Sequence, residues 1–118
     1  MSSTVENQNP AKSIDVECDV TKILEEMGFS GDSDAFGYPR TAIILSVYDI
    51  DIINSVTKVL YPSVAKKYQT TTSRVQRAIR HAIEVAWDRG DVDTLNWYLG
   101  YTKPTNRDFI ASIADHLR

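Results

Sequence analysis

The chain has 118 residues, 42% apolar and 25% charged, with a formal net charge of −3 and one cysteine, Cys18. That is one domain's worth of chain with enough apolar content for a core. No apolar run approaches a membrane span, nothing at Met1 resembles a secretory leader, and a single cysteine excludes an internal disulfide, so a cytoplasmic protein with no membrane partner is expected.

Residues 1–15 are polar and lack periodicity, and Pro10 falls among them. They read as a flexible arm ahead of a single domain over 16–118. Val16, Val20, Ile23, Leu24 and Met27 recur at helical spacing and predict a first helix over Val16–Met27, with Gly28 just past its end. Cys18 lies on this helix between Glu17 and Asp19, neighbours that disfavour a thiolate, and reads as a buried or half-buried residue.

Phe29–Tyr38 holds two glycines, two aspartates and two serines and reads as a loop. Pro39 suits the first turn of a second helix, Pro39–Val47, with Ala42, Ile43, Leu45 and Val47 mostly buried. Asp49 is placed to cap a third, Ile50–Leu60. Val47, Tyr48 and the isoleucines have strand propensity, but the helical context outweighs it.

Pro62 opens the next helix. Val64–Thr70 fits the first helix and turn of a helix-turn-helix spanning about 62–89. Ala65 is the small residue that lets two helices cross, and Val64, Tyr68, Val75 and Ala78 are spaced to share a core. Gln69 occupies a turn position that favours a positive φ, a place usually filled by glycine. The second helix of the motif runs Thr72–Arg89 and is ended by Gly90. Asp91 then caps Val92–Leu99, closed by Gly100, and Thr105 with Asp108 resembles a capping box for a last helix with Phe109, Ile110, Ile113 and Leu117 inward. The expected fold is all-α: a compact bundle of about six helices with an embedded helix-turn-helix.

Nothing in this chain has the pattern of a catalytic or metal site. His81 and His116 have no ligand spacing with Cys18, and there is no glycine-rich phosphate loop or nucleophile motif. Paired carboxylates such as Glu25 and Glu26, or Asp49 and Asp51, fall at helix surfaces or ends. No enzyme activity, cofactor, metal or small-molecule ligand is expected.

The charge is unevenly spread. Residues 1–57 carry three basic and ten acidic side chains, and residues 58–118 carry ten basic and six acidic. From Lys58 to His81 there are six bases, Lys58, Lys66, Lys67, Arg74, Arg77 and Arg80, and no acid. Local charge sets the field at a binding face, so a slightly acidic total does not exclude a nucleic acid.

Wound as a helix, Thr72–Arg89 divides cleanly. Val75, Ala78, Ile79, Ala82, Ile83, Val85 and Ala86 fall within an arc of roughly 160°, and Ser73, Arg74, Gln76, Arg77, Arg80, His81 and Glu84 fall opposite. In a helix-turn-helix the first turns of the second helix enter the major groove. Ser73, Arg74, Gln76, Arg77 and Arg80 are therefore the candidate base-reading residues, the arginines suited to guanine and Gln76 to adenine. Lys66, Lys67, Thr71, Thr72 and His81 are the candidate phosphate contacts, aided by the dipole and free N–H groups of the helix N-terminus. Trp87 reads as an anchor against the following helix. Trp97 and Tyr98 suit either packing or a partner surface, and Tyr61 suits a corner or a phosphate contact.

The run Ser55–Gly90, SVTKVLYPSVAKKYQTTTSRVQRAIRHAIEVAWDRG, continued by Leu99-Gly100-Tyr101-Thr102, Lys103-Pro104-Thr105-Asn106 and Phe109-Ile110-Ala111, resembles the DNA-binding effector domain of the master sporulation response regulators of spore-forming Firmicutes. The resemblance covers roughly residues 38–118 and is weaker over 15–37. It implies an all-helical transcription factor whose partner is double-stranded DNA, and it implies contact with RNA polymerase or a sigma factor. Because one small module rarely binds tightly enough, paired sites and a homodimer on DNA are expected.

Two departures stand out. Family members typically carry Glu at the position of Gln76, so this chain's base preference should differ there. The family's receiver domain, whose phosphorylation permits dimerisation, has no room in about 15 residues ahead of the first helix. A free-standing relative or an excised domain is therefore expected, with the arm from Met1 favouring the former. The rival reading is a protein-interaction module that competes or heterodimerises with a full-length sporulation regulator.

Overall fold

The computed structural model describes residues 15–29 and 34–118. Apart from Asp15, which opens the first helix, the N-terminal arm lies outside the described residues. Six α-helices follow in order: α1 over 15–26, α2 Asp34–Tyr48, α3 Tyr61–Tyr68, α4 Thr72–Arg89, α5 Val92–Leu99 and α6 Asn106–Leu117. The all-α expectation holds, and no strand occurs among the described residues.

The α1 stripe buries Val16, Val20, Ile23, Leu24 and Met27. The helix ends in a Schellman turn: Gly28 takes φ 103°, its N–H donates to the Glu25 carbonyl at 3.0 Å, and the Phe29 N–H donates to that of Leu24 at 2.9 Å. That turn aims the Phe29 ring at Phe109 of α6, stacked at 5.6 Å between centroids. Cys18, expected to be buried or half-buried, is exposed: it sits off the Val16–Val20 stripe.

α2 begins at Asp34, five residues before the expected start, and Pro39 lies inside it. A proline at the sixth helical position removes a single hydrogen bond to the carbonyl four residues back. Its ring is buried, so the apolar contact offsets that loss. Gly37, which reads as loop punctuation, is there for another reason. A Cβ on it would stand 2.7 Å from the Tyr68 hydroxyl.

Asp49 caps as expected, its Oδ1 accepting from the Asp51 N–H at 3.1 Å. The third helix it was expected to start is not α. Ile50–Ser55 winds as a 3₁₀ helix and Val56–Leu60 as a π turn that runs unbroken into α3. Ile50, Ile52, Ile53, Val56, Thr57 and Val59 are all β-branched and crowd an α-helix. Tight then wide winding brings Ile52 and Leu60 inward while Ile50 and Val59 stay exposed.

α3 and α4 are joined through Gln69, Thr70 and Thr71. Gln69 takes φ 54° and ψ 48°, the left-handed conformation expected of that position. Its N–H donates to the Lys66 carbonyl at 3.3 Å and that of Thr70 to Ala65 at 2.9 Å, the same Schellman pattern as at Gly28. α4 buries Val75, Ile79, Ile83 and Ala86. Val85, expected on this inner arc, lies at its edge and is exposed. α4 ends at Gly90, which turns extended, and only glycine fits there because a Cβ would strike the Met27 carbonyl oxygen.

Asp91 caps α5, accepting from Asp93 and Thr94, and Gly100 closes it at φ 85°. Thr105 Oγ1 caps α6 by accepting from the Asp108 N–H at 3.1 Å. Only this half of the capping box forms: the Asp108 carboxylate pairs instead with Arg107 at 3.5 Å. α6 buries Phe109, Ile110, Ile113 and Ala114 and packs mainly on α2, with Leu117 partly buried. Among the described residues no helix is long and apolar enough to cross a membrane.

Candidate nucleic-acid interface

The turn between α3 and α4 is held from beneath by Tyr68. Its hydroxyl donates to the Gly37 carbonyl at 3.2 Å, which leaves its oxygen to accept from Thr41 Oγ1 at 2.8 Å. The ring meets Tyr38 edge-on at 5.0 Å and carries the Lys67 ammonium 5.7 Å from its centroid. The last turn of α3, with Lys66 and Lys67 exposed, is thus fixed to α2. Thr71 Oγ1 caps α4 by accepting from the Arg74 N–H at 3.2 Å.

Thr71, Thr72, Ser73, Arg74, Gln76, Arg77 and His81 are all exposed, so the turn and the first half of α4 form one polar surface with Lys66 and Lys67. With Val75 set at 0°, the buried residues of α4 centre near about 35°. The outward pole then lies near about 215°, between Arg77 and His81, with Arg74 and Ser73 to either side. Gln76 and Arg80 lie at about 100° and 140°, on one flank rather than at the pole. Arg77 Nε bonds the Ser73 carbonyl at 3.4 Å, at the margin of a hydrogen bond, and its side chain remains exposed.

Arg80 differs from the other candidates. Its guanidinium is half-buried, donating through Nη2 to the Pro104 carbonyl at 3.2 Å and lying 3.6 Å from Glu84. It is turned along the flank of α4 toward the α5–α6 segment. Tyr61, weighed as a phosphate contact, is buried instead: its hydroxyl accepts from Asn106 Nδ2 at 3.1 Å. The same Asn106 nitrogen donates to the Gln76 carbonyl at 3.1 Å. Neither contact of Asn106 has a local signature, because its partners are 45 and 30 residues away.

Trp87 is half-buried against the core, and Trp97 stands out from α5 at 74% exposure. Tyr98 packs edge-on against His116 at 4.8 Å. Partial burial, with Glu26 and Asp19 nearby, pushes the Tyr98 phenol above its ordinary value. The described residues contain no cluster of His, Cys, Asp and Glu able to hold a metal ion.

A short lysine-bearing helix, a three-residue turn and an arginine-bearing helix that offers its N-terminal turns to solvent thus follow one another within an all-α domain. The model of one family, sporulation initiation factor Spo0A C terminal, matches residues 20–117. The chain belongs to that family, a family of DNA-binding regulatory effector domains and not of enzymes.

Proposed function

We propose that this protein is a sequence-specific DNA-binding transcriptional regulator of the cytoplasm that seats the first turns of α4 in the major groove. The observation that carries this reading is the single surface formed by Lys66, Lys67, the α3–α4 turn and the outward pole of α4. It is cationic and exposed, and the acid-free stretch from Lys58 to His81 supplies it. Arg77, at the pole, and Arg74, beside it, suit the O6 and N7 atoms of guanine, Ser73 either base, and Gln76 the N7 and N6 atoms of adenine. Lys66, Lys67, Thr71, Thr72 and His81 hold phosphates around them. Arg80 supports α4 from the flank and adds its charge to the groove. The small size of one module supports a dimer on paired sites, and the resemblance to sporulation regulators supports contact with RNA polymerase or a sigma factor.

The test is duplex binding at several salt concentrations. With about four to six phosphate contacts, the logarithm of the binding constant should fall with that of salt at a slope of roughly −4 to −5. An absence of duplex binding at low salt would instead favour a protein-interaction module, for which the exposed Trp97 offers a surface.

A further inference from the structure

Gln76 and Arg80 are one turn apart on the same flank of α4, and they are held from the end of the segment that joins α5 to α6 and from the first residue of α6. Arg80 Nη2 reaches the Pro104 carbonyl at 3.2 Å, and Asn106 Nδ2 reaches the Gln76 carbonyl at 3.1 Å. Two hydrogen bonds, spaced along the helix like rungs, lay residues 104–106 against α4. The free part of the segment carries Tyr101, Thr102 and Lys103, all exposed, with Tyr101 at 86%. From Thr94 to Arg107 there is no acidic residue. Lys103 makes no ion pair among the described residues.

We propose that residues 101–103 form a second DNA-contacting element, with Lys103 holding a phosphate on the wall of the groove that α4 occupies and Arg80 as the positioning residue. The inference rests on the DNA-binding reading above. A helix with its side chains is about 10–12 Å across and the major groove about 12 Å wide, so α4 fills the groove from wall to wall. A segment in hydrogen-bond contact with its flank therefore lies over the sugar–phosphate edge. Two hydroxyls and an ammonium are groups that bind phosphate oxygens without reading sequence. Arg80, drawn along the flank by Pro104, fixes where that segment stands relative to the base-reading residues. Asn106 anchors its far end.

The test uses a duplex of random sequence, because a phosphate contact is indifferent to base. Binding by the whole chain is measured across a salt series for wild type, Lys103→Gln, Lys66→Gln and Lys22→Gln, the last on α1 away from the cationic surface. Lys103→Gln is expected to reduce the magnitude of the log–log slope by about 0.9, as Lys66→Gln does, with Lys22→Gln unchanged. In an Arg80→Ala background the effect of Lys103→Gln should shrink, because the segment is no longer held in place. Lys103 is exposed, so its replacement leaves folding intact. A wild-type slope for Lys103→Gln beside a reduced one for Lys66→Gln overturns this proposal and leaves the DNA-binding reading standing. An equal reduction for Lys22→Gln overturns it as a mere effect of net charge. Additive effects of the two replacements overturn the role of Arg80. No duplex binding by wild type overturns the functional reading itself.

Discussion

Asn106 Nδ2 donates to the Gln76 carbonyl at 3.1 Å, from a side chain only 9% exposed at the first position of α6. The same nitrogen reaches the Tyr61 hydroxyl, so one amide joins the start of α3, the second turn of the candidate reading helix and the last helix. Its Oδ1 is buried with no hydrogen-bond partner, so the bridge is stabilising only while both donated bonds persist. Asn106→Ala would leave a buried phenol without its donor. A loss of about 1–3 kcal/mol is expected in urea unfolding, and Tyr61→Phe should cost less, about 0.5–1.5 kcal/mol. Equal stability of Asn106→Ala and wild type would show that the bridge contributes nothing.

Gln69 holds a left-handed backbone that a side chain disfavours by roughly 1–2 kcal/mol. Gln69→Gly removes that strain, although it frees the unfolded chain by roughly 0.4–1 kcal/mol. The net expectation is a gain of up to about 1.5 kcal/mol, seen as a higher melting temperature. Gln69→Val should be destabilising, since a β-branched residue tolerates this region least. A lower melting temperature for the glycine variant would contradict the strain account.

The Gln76 side chain is exposed while its own carbonyl is tied to Asn106, so exchanging the side chain leaves the bridge intact. Gln76→Glu exchanges the amide for a carboxylate, which accepts from cytosine N4. Comparing duplexes varied at each position should show a shift toward a C·G pair at one position, by roughly 1–3 kcal/mol. Nonspecific affinity should fall slightly because a negative charge now faces phosphates. Arg77→Ala should weaken binding and relax a neighbouring guanine. Unchanged base preferences in Gln76→Glu would mean that this side chain does not face a base.

The Tyr98 phenol is raised by desolvation first, then by Glu26 and Asp19, all of which favour its neutral form. The fold holds that proton more tightly than the unfolded chain does. The associated stability is therefore complete below the ordinary tyrosine value of 10.0 and is lost as pH rises above it. In an alkaline absorbance titration the Tyr98 phenol should ionise later than a free phenol, and Tyr98→Phe should remove that contribution. A late step that survives Tyr98→Phe would belong to another residue.

Caps and turns were the most legible parts of the chain. Asp49, Asp91 and Thr105 each act within three residues of themselves, and Gln69 follows from the length of the turn it must make. The bounds of α4 follow from a long apolar period and a terminal Gly; its Thr71 cap, equally local, is added by the structure. What local pattern could not supply came from distant partners. Gly37 resembles a loop residue and Pro39 a helix start until Tyr68 packs against Gly37. Arg80 has the same helical spacing as Arg77 and differs only because Pro104 folds back on it. The 3₁₀ and π windings of 50–60 lie between two fixed ends, the Asp49 cap and Pro62, and accommodate β-branched residues that no single period describes.

The meeting of Gly28 and Gly90 places one backbone directly on another. A Cβ on Gly28 would lie 3.0 Å from the Gly90 Cα, and a Cβ on Gly90 would strike the Met27 carbonyl. No side chain stands between the two strands of chain, so none can shrink or rotate to absorb a change. Mutational drift at either position is barred by the other, and substituting both only deepens the clash. The end of α1 and the end of α4 therefore meet as a contact without slack, and a methyl group added at Gly90 must part the two chain ends rather than be absorbed locally.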